Sequence, residues 1–344
     1  MNRFYHLPAE SKERIFNETG EQSNLPAYAV EKDWWVVQAL TILFELEIGK
    51  HLVFKGGTSL SKSWGLIERF SEDIDLAVDR TFYGFNGELT KERRTKLRKT
   101  ANAYIRETLF PELQKAFAAK GLSGVTIELE EITTSDQDPV IIHVNYPNLI
   151  ESPGYIRPRV QIEMGCRSMI EPFENRPLLS LVDTAYPETQ FSQKPVNIPS
   201  VVPERTFLEK IFLLHEEFQR LPGKMRVNRL SRHLYDIYIL SEQGVADKAL
   251  SAKELYETIV RHRYCFVRVG NVDYNFHQPK TINFIPHKEF IAAWAEDYKI
   301  MQEQMIYGDS PTFDQLIGYL KALNVKINEL PWEASFSFKQ IKNK

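Results

Sequence analysis

Two aspartates, Asp73 and Asp75, stand two positions apart in the sequence RFSEDIDL, which covers residues 69–76. Apolar residues alternate with them, and this alternation predicts a β-strand over 73–79. Side chains two positions apart on a strand point to the same face, so the two carboxylates are aimed together. Two like charges held that close repel each other, and a bound divalent cation is the usual compensation. The pair therefore predicts a metal site on one face of a sheet.

Upstream of this pair, two consecutive glycines follow an apolar strand predicted over 51–55 and precede a helix predicted over 57–66. A glycine turn at a helix start leaves backbone N–H groups free to face an anion such as a phosphate. The alternative is an ordinary strand-to-helix turn, in which the hydroxyl residues that follow cap the helix and a later lysine is solvated. A phosphate-binding turn beside a metal pair predicts nucleotidyl transfer from a nucleoside triphosphate (NTP). The candidate NTP contacts are Gly56, Gly57, Thr58, Ser59, Lys62 and Arg69.

Two further residues extend the predicted metal site. In nucleotidyl transfer, two Mg²⁺ ions held by shared carboxylates can activate the nucleophile and neutralise the leaving pyrophosphate. We expect Mg²⁺, with Mn²⁺ as the alternative. Glu163 is the candidate third carboxylate, because it lies inside a strand predicted over 157–166, where a charge needs a partner; its alternative is an edge or surface position. Ser71 shares the face of the aspartates if their strand extends back that far.

A second set of candidate residues lies in two helices predicted over 203–219 and 229–242. Lys210 lies beside an apolar stripe of the first helix. Asp236 stands among apolar residues of the second, where a free charge would be costly. The residue types alone favour a structural salt bridge between the two side chains. The functional alternative places Lys210 against the triphosphate, with Asp236 orienting it or holding the nucleophile.

The length of 344 residues predicts about two domains, each large enough for its own hydrophobic core. The predicted fold class is α+β, with a core domain over 1–195 built from a mixed sheet and flanking helices. Around 171–203 the composition shifts to Pro, Ser and Asn, which predicts a connecting region. A mainly helical domain over 196–344 follows. The remaining predicted elements are helices over 27–47, 88–119, 251–263, 287–306 and 312–326, strands over 124–132 and 139–146, and short strands or loops over 264–269 and 283–285.

The charge balance gives no global sign of nucleic-acid binding, because the net charge is −3. Two local stretches are basic, one over 91–99 and one over 220–232, and each is either a solvated helix face or a surface that guides RNA. Two distant cysteines without zinc spacing predict free thiols. The N-terminus lacks a signal-peptide pattern, and no apolar stretch is long enough to cross a bilayer. We therefore expect a cytoplasmic protein without a membrane partner.

These motifs together resemble the AbiEii/AbiGii family of nucleotidyltransferase-like toxins of type IV toxin–antitoxin systems. The resemblance rests on the GGTSL and RFSEDIDL runs, the EKDW helix start, Lys210 with the RHLYD segment, and the tail from INFIP to AEDYKIM. It implies a polymerase-β-like nucleotidyltransferase core followed by a helical C-terminal domain that contributes Lys210 and Asp236 to the site. By position, Asp73 and Asp75 match the metal-binding aspartates and Ser71 the serine before them. His233 departs from the family pattern, which more often has Arg or Lys there.

The resemblance also implies an NTP substrate, an RNA acceptor such as the tRNA 3′ end, and a cognate antitoxin. The leading hypothesis is therefore an Mg²⁺-dependent enzyme that moves an NMP from an NTP to tRNA. A second hypothesis keeps the site but changes the acceptor to a protein or a small molecule. A third is a relative that binds NTP without catalysis, against which the intact Asp73, Asp75, Lys210 and Asp236 argue.

Overall fold

The computed structural model describes residues 3–71, 73–152 and 157–339. These residues form an α+β structure with one mixed sheet and many helices, so the predicted fold class is confirmed. Among them, no helix is both long and apolar enough to cross a bilayer. Cys166 is buried and Cys265 is exposed, and both are free thiols.

The chain divides into two compact units. The first unit comprises Met1–Gly65 and Phe70–Val201, and the second comprises Leu66–Arg69 and Val202–Lys344. The chain therefore passes into the second unit for the short segment Leu66–Arg69, and it returns to the first unit just before Asp73. The separate functional roles of the two predicted domains stay a prediction.

The first unit contains a seven-stranded sheet. Its strands are β1 (Leu52–Lys55), β2 (Asp73–Val78), β3 (Thr126–Leu129), β4 (Val140–Asn145), β5 (Arg159–Gly165), β6 (Phe173–Leu178) and β7 (Val196–Val201). Their spatial order is β3-β4-β5-β2-β1-β7-β6. β2 is parallel to β5 and β1 is parallel to β7, while the other neighbours are antiparallel. β2 thus lies in the middle of the sheet, with β1 on one side and β5 on the other.

Helices cover one face of this sheet. Side chains alternate between buried and half-buried along β5, and Ile74 and Leu76 of β2 are buried, as expected when one face meets a core. The buried Trp34 and Trp35 belong to that same core. The opposite face of β2 and β5 carries mostly polar side chains. The helices of the first unit are α1 (Ala9–Ser23), α2 (Ala27–Glu45), α3 (Gly56–Lys62), α4 (Lys91–Tyr104), α5 (Phe110–Ala119) and α6 (Leu181–Ala185).

The long helix predicted over 88–119 is confirmed as a continuous helical stretch. It begins after Thr90, whose hydroxyl accepts a hydrogen bond from the Arg93 N–H at 3.3 Å, as an N-cap residue does. Between α4 and α5, one π-helical turn over Ile105–Leu109 shifts the phase of the backbone without ending the helix.

The connecting region predicted over 171–203 is wrong. This stretch contains β6, α6 and β7, and β7 pairs with β1 inside the sheet. Pro177 lies on β6 at the edge of the sheet, whereas Pro199 lies on β7 between β1 and β6. An edge strand tolerates proline and polar side chains, so its sequence carries little strand signal.

The second unit is mainly helical. Tyr264–Val269 was predicted as a short strand or loop, but the preceding helix continues through it as a π-helical turn over Arg263–Val267. The other predicted helices are confirmed, and one more, Val245–Ser251, was not predicted. The helices are α7 (Pro203–Phe218), α8 (Ser231–Glu242), α9 (Val245–Ser251), α10 (Lys253–His262), α11 (Ile291–Gln304) and α12 (Phe313–Asn328).

Candidate active site

The sheet register sets three carboxylates side by side on the polar face of β2 and β5. Asp75 pairs with Glu163 across the parallel β2–β5 ladder, and Asp73 pairs with Gln161 two residues earlier. Register partners on adjacent strands point to the same face. We call Asp73, Asp75 and Glu163 the carboxylate patch. All three side chains are half-buried.

Gly56, the first residue of α3, allows the side chain of Asp75 to lie against its backbone. Gly56 has φ +79°, in the left-handed region, and a Cβ built on it would overlap the carboxylate of Asp75. Only glycine adopts that backbone conformation readily and leaves the space of a Cβ free for the carboxylate of Asp75. The first glycine of the predicted phosphate-binding turn therefore also serves the aspartate beside it.

The patch concentrates negative charge on one face of the sheet. Burial raises the pKa of Glu163, and the charges of Asp75 and Asp73 raise it further. The side-chain amide of Gln161 donates to Glu163 Oε1 at 2.9 Å and opposes that shift. Hard oxygen donors under mutual repulsion suit a divalent cation such as Mg²⁺.

The carboxylates alone do not complete a metal site. Within the described residues, no three carboxylate, imidazole or thiol groups converge closely enough to hold a metal ion by themselves. Mg²⁺ is normally bound by one or two carboxylates together with waters and substrate phosphates. The donor set therefore fits a metal that arrives with NTP rather than a permanently ligated structural ion.

The hydroxyl residues after the glycines, Thr58 and Ser59, lie in the first turn of α3. Thr58 donates to the Asp73 carbonyl at 2.5 Å, and its oxygen lies 2.8 Å from the Ser71 hydroxyl. These contacts tie the start of α3 to the start of β2. Ser59 is buried, and its hydroxyl has no hydrogen-bond partner among the described residues. Both side chains thus face protein in this structure, and their contacts with a triphosphate stay predictions.

Lys62 is held by an acidic side chain of α2. Its ammonium lies 2.6 Å from Asp33 Oδ1, and both side chains are largely buried. The other oxygen of Asp33 accepts the backbone N–H of Leu181 at 2.7 Å. The sequence predicts that Lys62 contacts either a phosphate or solvent. In the structure Lys62 forms an ion pair with Asp33 instead, and the contacts of Asp33 join α3 and α6 to α2.

The second unit holds a buried cluster of opposite charges. Arg69 donates to both oxygens of Asp236, at 2.6 and 2.8 Å, in a bidentate pair. Lys210 lies 2.8 Å from Asp236 Oδ2, so the salt bridge favoured from residue types is present. All three side chains are at most 8% exposed. The predicted NTP contact Arg69 is therefore a buried partner of Asp236. We call Arg69, Lys210 and Asp236 the ion triad.

The ion triad contains one more cation than anion. Burial alone would raise the pKa of Asp236, but Arg69 and Lys210 outweigh it and hold that pKa well below its usual range. Burial lowers the pKa of Lys210 against the opposing charge of Asp236. Burial and the neighbouring Lys210 lower the pKa of His233 well below its usual range, so its neutral Nδ1, 3.5 Å from the Lys210 ammonium, can accept a hydrogen bond. The excess positive charge in the triad would suit a phosphate.

Comparison with known proteins decides the family. The sequence matches the model of the AbiEii nucleotidyl transferase toxins of type IV toxin–antitoxin systems over residues 38–318. The chain belongs to this family. The resemblance seen in the sequence is confirmed, and this AbiEii protein is a nucleotidyltransferase of the toxin type. No curated protein matches it in sequence.

Several solved structures are similar to this AbiEii protein. One of them is the nucleotidyltransferase toxin MenT4 from Mycobacterium tuberculosis H37Rv, with 17% sequence identity and a TM-score of 0.46. The match covers 93% of this chain and 99% of that chain.

Sequence reasoning missed two polar neighbours of the carboxylate patch. Lys55 pairs with Asp75 across the β1–β2 ladder, and Gln161 hydrogen-bonds Glu163. The position of Gln161 two residues before Glu163 on a strand was a local signal, because both point to one face. The place of Lys55 depends on a strand register that the sequence does not specify.

Proposed function

We propose that this AbiEii nucleotidyltransferase moves an NMP from an NTP to an RNA acceptor, the tRNA 3′ end, with Mg²⁺ as its metal. The observation that carries the proposal is the carboxylate patch, where Asp75 and Glu163 are register partners and Asp73 lies two residues before Asp75 on the same face of β2. Membership in a family of type IV toxins supports action as the toxin of a cytoplasmic toxin–antitoxin pair.

Asp73, Asp75 and Glu163 would hold the metal. Divalent ions bound there with NTP would activate the attacking hydroxyl and neutralise the leaving pyrophosphate. The fit rests on the sheet register, which sets the three carboxylates on one face. Burial raises the pKa of Glu163, and the charges of Asp75 and Asp73 raise it further, a repulsion that a bound cation would relieve. Gln161 would keep one oxygen of Glu163 occupied and so orient the other.

The remaining chemistry is electrostatic. In the proposal, the N–H groups of Gly56 and Gly57 bind phosphate oxygens, and Lys210 stabilises negative charge on the triphosphate as it develops. Asp236 orients Lys210 through their 2.8 Å ion pair, and it is not the proton acceptor, because Arg69 already occupies both its oxygens. That the ion triad and the carboxylate patch serve one reaction rests on the family pattern.

The basic stretches are the proposed RNA contacts. On α4, exposed side chains include Lys91, Arg93, Lys96 and Lys99. In the second unit, Arg226 is exposed but pairs with a buried glutamate at 2.7 Å. The α4 face therefore offers cations that phosphates can reach without breaking buried pairs, and we place the RNA backbone there.

A labelling experiment tests the acceptor. The protein is incubated with Mg²⁺, total RNA, a cell lysate depleted of RNA, and each α-labelled NTP in turn. We expect the label in the tRNA fraction, at the 3′ end, by mass spectrometry. Label that migrates with protein or with a small molecule would refute the RNA acceptor while leaving nucleotidyl transfer intact. Binding of NTP without label transfer in any fraction would refute the enzymatic proposal.

A charge-reversal variant tests the RNA contact separately. Changing Lys96 and Lys99 to Glu should weaken tRNA binding and lower the salt dependence of binding, because fewer phosphates are neutralised. The NTP affinity should stay unchanged. Equal tRNA affinity in the variant and the wild type would refute the α4 assignment.

A further inference from the structure

Lys55 is the last residue of β1 and the register partner of Asp75. Asp75 is in turn the partner of Glu163, so a cation and two carboxylates stand in one row across three adjacent strands. Directly opposite side chains on neighbouring strands have Cβ atoms about 4.5–5.5 Å apart. Lys55 is half-buried, and among the described residues its side chain has no ion pair or hydrogen bond. Its ammonium therefore lies close to the carboxylate patch without a direct ion pair to any one of the three described carboxylates.

The charge of Lys55 acts on the patch. The ammonium lowers the pKa of Glu163, opposing the larger effects of burial and of the two aspartates. With all groups ionised, the patch carries three negative charges, and Lys55 reduces the local sum to two. A protein cation this close stabilises the ionised carboxylates in the same way as a metal ion does, and it therefore competes with the metal.

We propose that Lys55 is a positioning residue that offsets the charge of the carboxylate patch while no metal is bound and so weakens the affinity of the free enzyme for divalent cations. The consequence is that metal binding depends on NTP, whose phosphates add negative charge and oxygen ligands. This inference rests on the proposed function, because it takes the patch to be the metal site. It concerns the free enzyme, so it is tested without turnover.

The test is a Mn²⁺ titration of the free protein, followed by electron paramagnetic resonance of the unbound ion and by calorimetry. Lys55→Met removes the charge and keeps the length of the side chain. We expect it to bind Mn²⁺ about tenfold more tightly than the wild type, since one repelling charge is removed at short range. Lys55→Arg keeps the charge and should bind like the wild type. Circular dichroism and thermal unfolding check that each variant is folded.

Lys50→Met is the matched control. Lys50 lies in the same unit and is exposed, where it pairs with Glu47 at 2.9 Å. Lys50 precedes β1 in a 3-10 helical turn, and the four residues of β1, at about 3.3 Å each, separate it from Lys55 by more than about 10 Å, the distance over which charges interact strongly in salt. Its removal should leave Mn²⁺ affinity unchanged. A gain in both Lys55→Met and Lys50→Met would reflect net charge alone and would overturn the role of Lys55.

The remaining outcomes separate the inference from the proposed function. Equal or weaker Mn²⁺ binding by Lys55→Met, with binding by the wild type, overturns the inference and leaves the metal site standing. Binding by Lys55→Met when the wild type shows none supports the inference. Absence of binding in both proteins overturns the inference together with the metal site of the proposed function.

Discussion

Replacing Asp236 by Asn should destabilise the second unit strongly. The substitution keeps the shape of the side chain but removes the only carboxylate of the ion triad, which receives hydrogen bonds at 2.6 and 2.8 Å from Arg69 and lies 2.8 Å from Lys210. Asp236 is fully buried and Arg69 is 2% exposed, so water cannot replace the lost charge. Removing one partner of such a buried pair costs about 3–5 kcal/mol, because the other charge stays uncompensated. That is a large share of the about 5–15 kcal/mol by which a typical protein is stable.

Urea unfolding followed by circular dichroism measures this loss, and hydrogen exchange at the amides of α7 and α8 locates it in the second unit. The double variant with Arg69→Met provides the internal check. Once the carboxylate is gone, removing the guanidinium should cost much less than it does in the wild type, and the coupling free energy should be about 2 kcal/mol or more. An Asp236→Asn protein within about 1 kcal/mol of the wild type would refute the account of the triad as a buried electrostatic unit.

Substitutions at Gly56, Lys62 and His215 test three further features of the structure. Gly56→Ala should abolish nucleotidyl transfer by displacing Asp75, whereas Gly84→Ala, at the nearly equal φ of +78° but with open space around it, should cost only backbone strain of about 1–2 kcal/mol; equal activity of the two variants in a label-transfer assay would contradict the assigned contact. Lys62→Met should lower the unfolding free energy of the first unit, because its buried carboxylate partner loses its cation; a raised KM for NTP with unchanged stability would instead favour the phosphate role. Burial and a neighbouring imidazole lower the pKa of His215 from 6.5 to about 3, so the unfolded chain binds the proton first: the stability from this group is complete above pH 6.5 and is lost as the pH falls towards 3. His215→Asn should flatten the unfolding free energy over that window, and an unchanged slope would contradict the assignment.

The local parts of the fold were predictable from the sequence. Alternation around Ile74 and Leu76 indicates a strand with one buried face, and the two glycines mark the start of α3 after β1. These signals are short-range, since they arise from side-chain periodicity and backbone freedom within a few residues. β6 and β7 carry no such signal, because prolines and polar residues interrupt their alternation. Only the pairing of β7 with β1, and of β6 with β7, reveals them.

The partners of charged residues were not predictable in the same way. Arg69 stands four residues before Asp73 and was assigned to NTP, yet it pairs with a carboxylate 167 residues further along the chain. Lys62 likewise pairs with Asp33. A charged residue that becomes buried needs a partner of opposite charge, but the identity of that partner depends on tertiary packing. Lys210 and Asp236 were recognised as a pair because both lie on apolar helices, where the need is strongest.

The central claim is that the carboxylate patch carries nucleotidyl transfer, and Asp75→Asn tests it most directly. The variant keeps the size of the side chain beside Gly56 and removes one negative charge from the row with Glu163. The measurement is the rate at which the wild type and the variant transfer an α-labelled NMP in Mg²⁺, with matching circular dichroism spectra as the control for folding. We predict transfer by the wild type and a loss of about a hundredfold or more in the variant, as expected when a metal-holding carboxylate is removed. A folded Asp75→Asn protein that transfers label at the wild-type rate would contradict the claim.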